Sequence, residues 1–352
     1  MTVRRRSDGH RFVRWLWTSR RLDARLVRAI FVPSAVLYQI VMRARAMAYR
    51  RGWLRRHALP LPAVAIGNLT VGGSGKTPLA GWIAARYVDQ GHRPGILLRG
   101  VGGDEALVHE EAVPHAIIVA DPDRRAGAIE AVSLGADVLV LDDAYQRLDV
   151  ERDLNICVMS AETSRAVRWS LPAGPWREGW HALDRADAVI VTRKRADRAT
   201  AEALAAKVAV HVRGPVAIAR LEICTLVGLV SGRELPFTIL DGQRVVVACA
   251  IADPAAFVAQ IKRVGAQVQV ATWKDHHAYR DEDVAWLAHA AIRADHVVIT
   301  AKDAVKLRDR WPARVPEPLV AVLDVTFESG EAAIAEAIDA LVAPIPASFS
   351  LP

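Results

Sequence analysis

Ala63-Val64-Ala65-Ile66-Gly67-Asn68-Leu69-Thr70-Val71-Gly72-Gly73-Ser74-Gly75-Lys76-Thr77-Pro78 is the stretch whose reading decides the fold. A short apolar run enters a loop with glycines at 67, 72, 73 and 75, and Lys76-Thr77 leads into a helix-like segment. Glycines let consecutive backbone N–H groups turn inward on an anion. The following helix points its positive end at the same spot. Lys76 is placed to reach outer phosphates, and the Thr77 hydroxyl to help hold Mg²⁺. Thr70 stands where the general phosphate-loop pattern has Gly. Thr70, Gly72, Gly73, Ser74, Gly75, Lys76 and Thr77 form the candidate nucleotide-binding set.

Outward from the loop, the pattern alternates strand and helix. Strands are expected at 95–98, 116–120, 138–141, 154–159 and 188–192, with helices over about 77–90 and 124–134. Val138-Leu139-Val140-Leu141 is a continuous apolar run, as suits a strand buried on both faces. The alternation predicts a mostly parallel sheet wrapped by helices. The pattern loosens near residue 217, and a second β-α run starts at 244. The expected organisation is an N-terminal phosphate-loop domain over 1–225 and a smaller α/β domain over 226–352.

The chain has 352 residues, 52% hydrophobic and 24% charged, enough for two domains with ordinary cores. Cys157, Cys224 and Cys249 form no C-x-x-C, which argues against a zinc site or disulfide framework. The net charge of +7 hides an asymmetry. Residues 1–56 carry fifteen Arg against Asp8 and Asp23, so the remaining chain is mildly acidic. These arginines flank an apolar run, Ala29–Met42, with Trp15 and Trp17 upstream. The run is short for a spanning helix and no cleavage site follows it. An interfacial helix within 10–51, opened by Pro33, is the expectation, with an anionic membrane surface as partner. A nucleic-acid role for the arginine arm is the alternative.

Asp142-Asp143 follows the buried strand, where a phosphate-loop enzyme places a Mg²⁺-binding acid. Asp104 lies in a glycine-rich turn after the preceding strand, one of several carboxylates able to accept a hydroxyl proton. His276-His277 follows a strand end in the second domain. No [NT]-K-x-D motif is present, since Thr192-Arg193-Lys194 and Thr300-Ala301-Lys302-Asp303 miss its spacing, so ATP is the expected nucleotide.

Taken in order, these segments resemble the tetraacyldisaccharide 4′-kinase (lipid A 4′-kinase) family. Further segments that carry the resemblance are Arg99-Gly100, Gly103-Asp104-Glu105, Asp121-Pro122-Asp123-Arg124, Leu171-Pro172-Ala173-Gly174-Pro175, Arg177-Glu178, Asp275-His276-His277 and Lys302-Asp303-Ala304-Val305. The resemblance implies transfer of the γ-phosphate of ATP to the 4′-hydroxyl of a lipid A disaccharide precursor at the cytoplasmic face of the bacterial inner membrane. It implies Asp104 as catalytic base, assisted by a His assigned to His276, with His277 the other candidate. It implies Mg²⁺ and nucleotide contacts for Asp142, Asp143 and Glu178, beside Thr77. Thr70 is what the family has at that position. The chain departs from the family at Val101, an aromatic elsewhere, and at Ala144, Tyr145 and Arg147, where the family has Gly, Phe and His. A catalytically altered nucleotide-binding membrane module of the same fold is the alternative that Val101 and Arg147 raise. A metal-delivery NTPase lacks its His-rich or C-x-x-C signature here.

Overall fold

The structure, a computed structural model, describes residues 3–4, 8–100, 103–163 and 167–342. Val101 lies outside them. The chain divides into two compact units, Phe12–Arg220 with Phe327–Pro352, and Leu221–Thr326 with Met1–Arg11. The boundary expected near 226 thus falls at Leu221 and inside a strand. The last segment returns to the phosphate-loop unit.

The chain begins with β1 (Val3–Arg4), α1 (Asp8–Thr18) and α2 (Leu22–Arg50). β2 (Ala63–Asn68), α3 (Lys76–Asp89), β3 (Pro94–Leu98), α4 (Asp104–Ala112) and β4 (Ile117–Ala120) follow. Then come α5 (Arg124–Ser133), β5 (Val138–Leu141), β6 (Leu154–Ser160), β7 (Ala188–Arg193), α6 (Arg198–Ala209) and β8 (Val216–Gly228). In the phosphate-loop unit the strand order is β8-β7-β6-β2-β5-β3-β4, and every pairing among them is parallel. β2, β3, β5 and β6 are buried along their whole length, so their apolar runs show no alternation. The loops that follow their carboxyl ends carry the phosphate loop, Asp104 and Asp142, where an open parallel sheet binds ligands.

Two local expectations are corrected. α2 starts at Leu22 and passes through Pro33, which lies inside it rather than opening it. Pro33 is solvent-exposed, and a long helix survives the loss of one backbone bond on its outer face. The segment after Gly103, read as a turn, starts the helix α4, with Asp104 and Glu105 in its first turn where acids suit the dipole.

The second unit holds β9 (Glu234–Pro236), β10 (Arg244–Cys249), α7 (Pro254–Arg263), β11 (Gln267–Thr272), α8 (Asp281–Arg293), β12 (His296–Thr300), α9 (Ala301–Leu307) and most of β13 (Leu319–Ser329). β1-β11-β10-β12-β13 run parallel, and β9 pairs antiparallel with the end of β8. One face buries Trp273, Leu287 and Leu307, the other Phe257, Ile261 and Leu240. The final helix, α10 (Glu331–Asp339), belongs to the phosphate-loop unit. There Asp339 takes a forked pair from Arg86 of α3 (2.7 and 2.5 Å), and Tyr87 donates to the Ile338 carbonyl at 3.0 Å. The helix behind the phosphate loop is therefore braced by the chain's last helix.

Candidate active site

α3 begins at Lys76 after Gly75, which has φ +90°, and no side chain caps it. Its first N–H groups are left to the concavity of the loop, the arrangement that receives phosphate. The loop is pinned from outside. Asn68 Nδ2 donates to Ser74 Oγ at 2.8 Å, Thr192 Oγ1 to the Ser74 carbonyl at 2.7 Å, and Lys194 Nζ to the Gly73 carbonyl at 2.8 Å. Thr192 and Lys194 fail the guanine motif in sequence, yet they fasten the loop from β7. Thr70 makes a bridge with Trp176, and Val71 N donates to the Pro175 carbonyl at 2.8 Å. A Gly at 70 would leave this edge free to flex; Thr holds an extended backbone there.

Gly67 explains how the loop meets the acid pair. A Cβ at Gly67 would lie 2.6 Å from both Cβ and backbone N of Tyr145, so the two backbones cross in contact. The chain turns at Asp143, whose φ of +51° is left-handed. Ala144 is not in that region, so replacing the family's Gly by Ala costs no strain. Tyr145 is fully buried, and its added hydroxyl donates to the Ala182 carbonyl at 2.6 Å. Arg147 pairs with Asp149 at 2.8 Å and donates to the Pro122 carbonyl at 3.2 Å.

The turn sends the two acids in different directions. Asp143 faces Lys76 Nζ at 3.4 Å and Arg177 Nη1 at 3.2 Å. Asp142 is buried and meets Nε2 of His109 at 3.2 Å. Its carbonyl accepts from Arg124 Nη2 at 3.1 Å. His109 was not anticipated from sequence, because only the unrecognised helix α4 brings it back to Asp142. Asp104 stands at the first position of that helix and is also buried.

Glu178 does not join the acid pair. It is buried and spans both terminal nitrogens of Arg185, at 2.9 and 2.5 Å. Arg185 in turn lies over the Tyr145 ring at 4.3 Å. Glu178 thus braces the wall behind Tyr145. The oxygens of Thr77, Asp142 and Asp143 suit a hard cation, and no cluster of three or more His, Cys, Asp or Glu stands ready among the described residues. That fits Mg²⁺, which takes one or two carboxylates and completes its shell with phosphate and water.

In the second unit the two histidines part. His277 Nε2 lies 2.9 Å from Asp283 Oδ2, and its ring stacks on Trp273 at 6.1 Å. It is committed to packing. His276 is the other one of two non-glycine residues with left-handed φ among the described residues, at +57°, and its side chain is partly exposed. Such backbone strain collects at functional positions.

Fold and site together define a phosphate-loop nucleotide-binding α/β protein with an acid pair beside the loop lysine. A family profile for LpxK, the tetraacyldisaccharide-1-P 4′-kinase, matches residues 27–343. A tetraacyldisaccharide 4′-kinase of Geobacter sulfurreducens is 35% identical over 309 residues, 81% of this chain and 85% of its own. One from Xanthomonas campestris pv. campestris is 34% identical over 304 residues, 80% and 85% of the two chains. Among solved structures, the apo-form LpxK of Aquifex aeolicus in complex with ATP aligns with a TM-score of 0.70 at 26% identity, covering 90% of this chain and 99% of that one. The chain belongs to the tetraacyldisaccharide-1-P 4′-kinase family.

Proposed function

We propose that this protein works as a membrane-bound tetraacyldisaccharide 4′-kinase with Asp104 as its base. The kinase activity, with ATP as donor and Mg²⁺ as cofactor, follows from family membership over nearly the whole chain. The observation that carries the site is the convergence of Lys76, Asp143 and buried Asp142 at the uncapped head of α3.

The phosphate loop holds the nucleotide phosphates with backbone N–H groups and Lys76. Thr77, Asp142 and Asp143 would hold Mg²⁺, which neutralises charge on the phosphates when bound. Asp104 accepts the proton of the acceptor's 4′-hydroxyl. The oxygen bonds to the γ-phosphorus as the bond to the β–γ bridging oxygen breaks, and ADP leaves. His276 serves as the assisting group, since His277 is spent on Asp283 and Trp273.

α2 supplies the membrane contact. Leu22, Leu26, Ile30, Leu37, Ile40 and Val41 form an exposed stripe along one face. The other face is tied down: Gln39 Nε2 donates to Ser170 Oγ at 2.7 Å and Arg45 Nη1 to the Gln146 carbonyl at 3.1 Å. α2 is long and apolar enough to cross a bilayer. A helix held along one face by its own unit instead lies in the interface, with flanking arginines at headgroup depth. We assign this contact to the cytoplasmic face of the inner membrane, where ATP is available.

The test is incubation with ATP·Mg²⁺ and a tetraacylated disaccharide 1-phosphate. One added phosphate by mass is the expected product. ATP binding with no phosphorylated lipid would overturn the reading.

A further inference from the structure

A second cavity opens in the phosphate-loop unit, about 540 Å³ in volume, between the last turn of α2 at Tyr49 and the head of α5. Arg55, Arg125 and Arg147 line it, with His57, Asp123 and Asp149. Both carboxylates are engaged by the protein itself. Asp123 Oδ1 accepts from the backbone N–H groups of Arg125 at 2.9 Å and Ala126 at 3.4 Å, and Asp149 Oδ2 takes Arg147 Nη2 at 2.8 Å. The guanidinium groups of Arg55 and Arg125 have no hydrogen bond or salt bridge with described residues. Arg147 keeps a buried Nε–H without a partner. Two open guanidinium forks and a third with a spare donor are suited to a phosphate, which they can grip bidentately.

Position narrows the ligand. Asp123 caps α5 just past the carboxyl end of β4, on the rim of the sheet that binds ligands. In the order β5-β3-β4, this is two strands from Asp142, roughly 10 Å at ordinary strand spacing. That distance is comparable to the span of two joined sugar rings. Arg124, next to Arg125, donates to the Asp142 carbonyl at 3.1 Å and links the cavity wall to the acid pair. Tyr49 belongs to the helix whose outer face is the apolar stripe, so a lipid lying along α2 brings its polar end here.

We propose that this cavity is a phosphomonoester site that receives the 1-phosphate of the glycolipid acceptor. The inference rests on the kinase reading and extends it. The phosphate loop and Asp104 act at one end of the disaccharide, and Arg55, Arg125 and Arg147 select the charge at the other. The family's His at 147 is a titratable group, whereas Arg147 is a permanent cation, so this chain holds its grip on the phosphate at any physiological pH.

The experiment compares the wild-type protein with Arg55→Ala, Arg125→Ala and the double variant, on acceptors with and without the 1-phosphate. Both arginines are exposed and without described partners, so their removal leaves folding intact. In the double variant, kcat/KM for the phosphorylated acceptor should fall about 10- to 100-fold, the scale of lost hydrogen bonds to a charged group. KM for ATP and turnover of the dephosphorylated acceptor should stay unchanged. An equal fall for both acceptors, or no fall, would overturn the proposal. Each assay is run in neutral micelles and in micelles carrying phosphatidylglycerol. An effect confined to the anionic micelles assigns the cavity to bilayer headgroups and overturns the acceptor assignment. If wild type phosphorylates neither acceptor, the kinase reading fails. Binding of the 1-phosphate disaccharide to nucleotide-free protein then still decides the cavity, supporting it if the double variant binds more weakly and overturning it if not.

Discussion

Nε2 of His109 lies 3.2 Å from Oδ2 of Asp142, with both side chains shut away from solvent. His109 is carried on α4, the helix that begins with Asp104. One short helix therefore presents the proposed base at its head and orients a metal-side carboxylate from its last turn.

A residue that orients a metal ligand changes metal affinity when removed. His109→Ala should weaken Mg²⁺-dependent ATP binding about 10- to 100-fold. Calorimetric titration of ATP at several Mg²⁺ concentrations measures it without turnover. His109→Gln keeps a donor and should retain more affinity than Ala. Binding unchanged in both variants would leave the contact as packing alone.

Asp104→Asn keeps shape and removes the proton acceptor. Phosphate transfer should drop by about 10²–10⁴-fold while ATP still binds. Single-turnover assay with mass detection reports the first, and nucleotide titration the second. Turnover near that of wild type removes Asp104 from the mechanism.

The crossing of Gly67 and Tyr145 predicts two stability losses. Gly67→Ala drives a Cβ to 2.6 Å from a backbone nitrogen that cannot swing aside, costing about 1–3 kcal/mol in denaturant titration. Tyr145→Phe restores the ring found in the family but strands the buried Ala182 carbonyl, a loss of about 1–3 kcal/mol. A Tyr145→Phe midpoint equal to that of wild type would mean another donor reaches that carbonyl.

The hydrogen bond from Arg86 holds the Asp339 carboxyl below its ordinary value of 3.8. A carboxyl lowered in the folded state stabilises above its unfolded pKa. That contribution disappears as pH falls through the lower folded value. Asp339→Asn should therefore lower the melting temperature at pH 7, by an amount equivalent to at most about 1 kcal/mol for a pair this exposed. The gap should close below roughly pH 4. A gap independent of pH would show that Asp339 acts through packing.

The stripe on α2 predicts lipid dependence. Replacing Leu26, Ile30 and Leu37 together by Ser should abolish co-flotation with anionic liposomes while ATP binding persists. Retained flotation at high salt would place the contact elsewhere.

Periodicity and glycine spacing made the parallel sheet, the phosphate loop and the acid pair legible, because these are local: a β-α turn needs its glycines within a few residues. The family's ordered segments pointed to Asp104 and the second unit's His pair. What stayed hidden depended on distant partners. Glu178 is a carboxylate in a familiar segment, and only Arg185 shows that both its oxygens are already used. His276 and His277 are indistinguishable as letters until Asp283 and Trp273 claim one of them. Pro33 looked like a helix start because nothing nearby reveals that its face of α2 is open to solvent.

The sequence by itself determined that this chain grips phosphate at Ala63–Pro78, carries an arginine-rich apolar arm, and belongs among the disaccharide kinases. Tertiary structure alone decided the geometry of the acid pair. The left-handed turn at Asp143 points one carboxylate at Lys76 and buries the other against His109. Sequence spacing specifies which groups are neighbours along the chain, whereas the direction of a side chain at a strand end depends on the backbone torsion there and on what packs behind it.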